Sequence, residues 1–155
     1  MKFSQKGEKL LINEEGYKNE PYLDVAGHWT IGIGHKIKQG ERFTTLTDAE
    51  VIQLMKKDIE PIECFINNYM PRLTQNQFDA LVIFIFNIGA PAFLNSSVFS
   101  IIKDKKFEEA TKPWAKWINI TERVKDPKTG EIVKKLIPVE ALIKRRAVEI
   151  KLFNS

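Results

Sequence analysis

Residues 15–35, EGYKNEPYLDVAGHWTIGIGH, decide how this chain is organised. Two carboxylates, Glu15 and Asp24, stand nine positions apart, with a threonine, Thr30, six further on. Tyr22, Trp29, Ile31 and Ile33 alternate with polar or small residues, and Ala26-Gly27 supplies a turn. This pattern predicts a small antiparallel sheet over roughly residues 20–38. Immediately upstream, Ser4 is placed to cap a helix carrying Leu10, Leu11 and Ile12 and stopping at Gly16. Glu15 would then occupy the last helical turn, beside free carbonyls and the negative end of the helix dipole.

Working outward, Thr47-Asp-Ala-Glu50 has the form of a capping box and opens the longest helical pattern. Its apolar stripe comprises Val51, Leu54, Ile59, Ile62, Phe65, Ile66 and Tyr69. Pro61 interrupts the stripe and is expected to kink or split the helix near residues 57–61. The join between two lobes is expected there, an N-terminal lobe over about 14–58 and a helical lobe over about 62–155, within one domain spanning 1–155. A second capping box, Thr74 to Gln77, precedes FDALVIFIFNIG. That run predicts a helix apolar on all sides and central to the core. Shorter helices are expected at about 96–103 and 107–118, the second disturbed by Pro113. RVKDPKTGEIVKKL reads as an exposed loop or hairpin around Asp126-Pro127 and Thr129-Gly130. A last helix should start near Pro138 and run to Leu152.

The 155 residues are 43% hydrophobic and 28% charged, as expected of a soluble globular chain. One Cys excludes an internal disulfide, and with two His it argues against a zinc site. Cys64 falls in the long stripe and is expected to be buried. The net charge of +4 favours anionic partners such as nucleic acid, anionic lipid or bacterial wall. No recognition motif accompanies the charge, which argues against nucleic acid. No signal peptide or spanning segment is evident, so synthesis and retention in a cytoplasm are expected, without stable membrane insertion.

Acid-assisted cleavage of a glycosidic bond needs one carboxylic acid to protonate the leaving oxygen and a second carboxylate to manage water or the developing cation. A helix C-terminus disfavours a carboxylate by roughly 0.3–1 kcal/mol. Glu15 therefore fits the acid, and Asp24, at the mouth of a solvated hairpin, fits an ionised partner. In a chain with 20 acidic residues, such a pair alone carries little weight.

The neighbouring residues add to it. Glu15-Gly16, Tyr22-x-Asp24 and Gly27-x-x-Thr30-Ile31-Gly32-x-Gly34-His35 together resemble the active-site signature of phage-type lysozymes. Leu73-Thr74-x-x-Gln77-Phe78-Asp79-Ala80-Leu81, Phe86-Asn87-x-Gly89 and Arg145-Arg146-x-x-Glu149 resemble later segments of that family, in order, over almost the whole chain. The resemblance implies an α+β lysozyme-like fold and a cofactor-free muramidase that cuts the β-1,4 bond between N-acetylmuramic acid and N-acetylglucosamine in peptidoglycan. It implies Glu15 as general acid, Asp24 as second carboxylate and Thr30 as the hydroxyl helping to hold water; the T-even relatives invert configuration.

Phe86, Asn87 and Ser96 align with the cleft lining, Phe86 fitting either core or contact. His35 is expected to buttress the hairpin through a hydrogen bond or ion pair, and His28 to be an exposed turn residue. One of Arg145 and Arg146 is expected to pair with Glu15, the other to be solvated. Trp114 and Trp117 read as core. A monomeric phage or prophage endolysin, reaching the periplasmic wall with a holin-like membrane permeabiliser, is the implied role. Departures from the family are Ala141-Leu142, where Gly-Leu is usual, and a longer polar segment over 123–135. Two rivals are a lytic transglycosylase, against which Asp24 and Thr30 speak, and a non-enzymatic binder acting through the basic helix around residues 144–151.

Overall fold

A computed structural model describes residues Met1–Ser155. Helix α1 (Gln5–Glu15) begins where the Ser4 hydroxyl accepts the Gly7 N–H, and it stops at Gly16, whose φ of 76° suits glycine. The three-stranded antiparallel sheet follows: β1 (Lys18–Leu23), β2 (Trp29–Gly32) and β3 (His35–Lys36), with β2 in the middle. Tyr22 lies opposite Thr30, Leu23 opposite Trp29, and Thr30 opposite Lys36. Pairing is irregular between Lys18 and Tyr22, the stretch that contains Pro21, a residue with no N–H to give a ladder.

Helix α2 (Asp48–Tyr69) starts with the expected capping box between Thr47 and Glu50. Pro61 does not split it. The lost backbone bond, a cost of ~3 kcal/mol in a helix interior, is outweighed by the buried row of Met55, Ile59, Ile62 and Ile66 on either side of the proline. The stripe also differs in detail from the sequence reading. Met55 and Glu63 are buried, whereas Tyr69 and Cys64 are exposed. Glu63 replaces Cys64 on the inner face because it accepts the Phe3 N–H at 2.7 Å and the Lys2 ammonium at 2.6 Å.

Helix α3 (Gln75–Ile88) forms the centre, its residues from Phe78 to Ile85 all buried. It packs against α1, α2, α4 (Ala90–Leu94) and the last helix, α7 (Glu140–Phe153). Asp79, fully buried on α3, accepts the Ser4 hydroxyl and the Ser4 N–H, tying the start of α1 to the core. Helix α5 (Ser97–Lys103), a 3-10 turn (Phe107–Ala110) and α6 (Thr111–Ala115) complete this side. Pro113 fits within the short α6 rather than extending a helix to residue 118. Trp114 is fully buried and lies 4.6 Å, centroid to centroid, from Phe84.

Strands β4 (Asn119–Lys125) and β5 (Ile132–Pro138) form a separate two-stranded hairpin. Pro138 ends β5 and does not start α7, which begins two residues later with Val139 as its cap. The Val139 N–H donates to the Ile118 carbonyl at 2.8 Å, closing the neck of the hairpin.

Candidate active site

Glu15 ends α1, and the tertiary fold brings two constraints to its carboxyl. Arg145 of α7 donates from Nη2 to Oε1 at 2.5 Å, while Oε2 lies against Gly34. A Cβ at position 34 would come within 2.7 Å of that oxygen, and φ there is +65°. The positive φ favours glycine, and any side chain there would also have to displace the Glu15 carboxyl.

Asp24 closes the turn between β1 and β2. Its Oδ1 accepts the backbone N–H groups of Ala26 (2.9 Å) and His28 (2.8 Å), and its Oδ2 stands 3.6 Å from the His28 ring. Partial burial works to raise its pKa, but the two backbone N–H groups and the His28 and Lys36 charges outweigh it and hold the carboxyl below its ordinary value. Thr30, on the facing strand, is buried and donates its hydroxyl to the His28 carbonyl at 3.0 Å. Its lone pairs remain free to accept.

Tyr22 lies within the influence of both carboxylates. It pairs in register with Thr30, and its phenol pKa is raised, by burial first and then by the negative charges of Glu15 and Asp24.

A depression of 690 Å³ runs from Gly34, His35 and Lys36 across Asp58 to Phe86, Asn87, Gly89 and Ala90 at the end of α3. Phe86 and Asn87 thus lie on its wall, as does Gly34, which packs against the Glu15 carboxyl, whereas Glu15, Asp24 and Thr30 do not themselves line it. The Asn87 side-chain oxygen is already engaged, accepting from Arg146 at 2.7 Å. Ser96 is buried at the start of α5. Its hydroxyl caps α5, accepting the Phe99 N–H and donating to the Phe93 carbonyl at 2.6 Å, so it is engaged by backbone.

His35 is buried beneath the sheet, its Nδ1 2.7 Å from Asp58 and its Nε2 3.3 Å from both oxygens of Glu41. The Asp58 hydrogen bond, against some burial and with help from the Glu41 charge, raises its pKa. His28 is exposed, as expected of a turn residue.

Neither arginine is solvated. Arg145 meets Glu15, and Arg146, 1% exposed, bonds Glu149 (2.8 Å), Asn87 and the Trp117 carbonyl while lying over the Phe84 ring. The cause is Glu149, fully buried one helical turn away on the same face, which also accepts the Trp114 indole N–H at 2.9 Å. A lone buried carboxylate would be costly, so both cations turn inward to it. Burial raises the Glu149 pKa and lowers that of Arg146. The i, i+3 and i, i+4 spacing of Arg146, Arg145 and Glu149 was visible in the sequence. Asp58 and Glu41, the partners of His35, carried no such signal.

A small antiparallel sheet set against a mostly helical body is the architecture of the lysozyme-like glycoside hydrolases. The fold is shared over 99% of this chain and 98% of the other with the muramidase domain of SpmX from Asticaccaulis excentricus, at 33% identity and a TM-score of 0.81. An endolysin from Escherichia coli O157:H7 phage FAHEc1 superimposes with a TM-score of 0.83 at 27% identity, covering 99% of this chain and 93% of that one. In sequence, an endolysin of Acyrthosiphon pisum secondary endosymbiont phage 1 is 30% identical over 100% of this chain and 99% of its own length. That of Salmonella phage P22 is 35% identical over 76% of this chain and 84% of its own. The phage lysozyme family model matches residues 12–149. The chain belongs to the phage lysozyme family, and it is a peptidoglycan hydrolase.

Proposed function

We propose that the chain is a muramidase that hydrolyses the β-1,4 bond between N-acetylmuramic acid and N-acetylglucosamine, with Glu15 as general acid and Asp24 and Thr30 positioning and activating water. The observation that carries this reading is the division of labour at Glu15. Oε1 is held by Arg145, and Oε2, packed on Gly34 at the edge of the groove, is left to carry the proton. A protonated carboxyl still accepts at its other oxygen, so Arg145 fixes the direction in which the proton points. Oδ1 of Asp24 is saturated by two N–H groups, which leaves Oδ2 for water, and the Thr30 lone pairs provide a second acceptor. As the Glu15 proton passes to the leaving oxygen, Asp24 takes one from the attacking water, and the products are two free sugar ends. The anomer released first, followed by NMR, tests whether the water attacks with inversion.

Phe86 and Asn87 contribute to the glycan-binding wall, with His35, Arg145 and Arg146 in support. The role is that of a phage or prophage endolysin, made in the host cytoplasm, acting as a monomer on the periplasmic wall and dependent on a holin-like permeabiliser. No helix is long and apolar enough to cross a membrane. Loss of turbidity of chloroform-treated Gram-negative cells should be abolished by Glu15→Gln. Retained lysis would favour the non-enzymatic reading. That rival is already weakened, because Arg145 and Arg146 of its basic helix are buried. Muropeptides lighter by one water would instead identify a transglycosylase.

A further inference from the structure

The β4–β5 hairpin stands apart from the sheet and the helical body, tied down at the Ile118–Val139 neck. Its register sorts the side chains onto two faces. One face holds Ile120 opposite Ile137, Glu122 opposite Lys135, and Val124 opposite Val133, with opposite charges matched and Val124 and Ile137 half-buried. The other is built differently. Arg123 lies directly opposite Lys134, Lys125 opposite Ile132, and Thr121 opposite Leu136. No acid lies on this face, and Ile132 and Leu136 are 74% and 66% exposed.

Two cations facing each other across a ladder weaken it, and two bare aliphatics in water add nothing. An isolated two-stranded hairpin is marginal in any case. This face therefore gains from a cover that is both anionic and apolar. A soluble polyanion would leave Ile132 and Leu136 in water. A protein partner would ordinarily need about 20–30 residues a side, whereas this face offers eight. The headgroup boundary of an anionic bilayer meets both needs, taking the aliphatics at its apolar edge and the Arg123, Lys125 and Lys134 charges among its phosphates.

We infer that the outer face of the β4–β5 hairpin, built from Arg123, Lys125, Lys134, Ile132 and Leu136, is a peripheral docking site for an anionic lipid surface. Binding is interfacial and reversible, with no segment inserted across the bilayer. None of these residues belongs to the proposed catalytic machinery, so the two assignments stand or fall separately.

Sedimentation of the full chain with vesicles of equal parts phosphatidylglycerol and phosphatidylcholine tests this. The wild type should pellet with them, not with pure phosphatidylcholine, and should be released by salt. The double variant Arg123→Glu/Lys134→Glu should bind at least about tenfold more weakly. Ile132→Ser/Leu136→Ser should also bind more weakly, and Arg123→Lys should bind as wild type. All should cleave purified, lipid-free peptidoglycan at the wild-type rate, which shows that they are folded. Failure of the wild type to pellet, or unaltered binding of either double variant, overturns the proposal. Full lipid binding by the serine variant, with charge reversal abolishing retention on a lipid-free anionic wall polymer, would assign the face to a polyanion instead.

Discussion

Arg145 reaches 130 residues back along the chain to hold the Glu15 carboxyl at 2.5 Å, and its own Nε is steered by Glu149 at 3.4 Å. Glu15 at the end of α1 is thus oriented by the last helix and not by its own neighbours. Removing the guanidinium leaves the carboxyl free to rotate. Arg145→Ala is expected to lower kcat about 10–100-fold through lost orientation, with KM little changed. Arg145→Lys should recover only part, since an ammonium cannot reproduce the planar fork. Steady-state rates on purified peptidoglycan check both.

Arg146 has a different job. With Arg146→Ala, the fully buried Glu149 loses its 2.8 Å partner, and a loss of about 3–5 kcal/mol in folding stability is expected. Replacing both residues, Arg146→Met with Glu149→Leu, should cost much less, because no charge is then left alone. Urea unfolding midpoints of the two variants, compared at constant m-value, decide it.

Gly34 is the second constraint on the acid. Gly34→Ala would place a methyl group 2.7 Å from Oε2 of Glu15 at a φ of +65°. Strain of about 1–3 kcal/mol is expected, together with a displaced carboxyl and at least about a tenfold fall in kcat. An unaltered rate would mean that Oε2 is not the oxygen that delivers the proton.

Asp24 should stay ionised into acid solution. Burial opposes this, but the Ala26 and His28 N–H groups win, so the acidic limb of the activity profile should fall below the ordinary aspartate value of 3.8. Asp24→Asn keeps the shape and removes the base, with a loss of about 10²–10⁴-fold expected in kcat. The pH–rate profile of wild type and variant is the measurement.

The His35–Asp58 contact predicts a pH-dependent stability. The His35 pKa is raised in the folded state, chiefly by the Asp58 hydrogen bond, so the folded chain holds this proton more tightly than the unfolded one. The contribution is complete below the unfolded value near 6.5 and is lost as pH rises through the higher folded value. Wild type should therefore lose thermal stability from neutral to mildly alkaline pH more steeply than Asp58→Asn. Parallel curves would show that the pair is not linked to folding.

Local chemistry determined much of this molecule. Ser4, Thr47 and Thr74 each begin a helix because a hydroxyl satisfies N–H groups within one turn, and Gly16 stops α1 because its φ is positive. The alternation around Ala26-Gly27 determined the sheet, and the apolar run from Phe78 to Ile85 determined which helix lies at the centre. Tertiary structure alone decided where charge goes. Cys64 faces water while Glu63 turns inward, and Pro61 is carried through α2, because packing and partners outweigh local preference. Likewise, Arg146 is buried where the sequence suggested a solvated cation, because a carboxylate sealed in the core must be answered by whatever cations the fold brings beside it. Periodicity specifies a face; the partner that meets that face is specified only when distant elements close on one another.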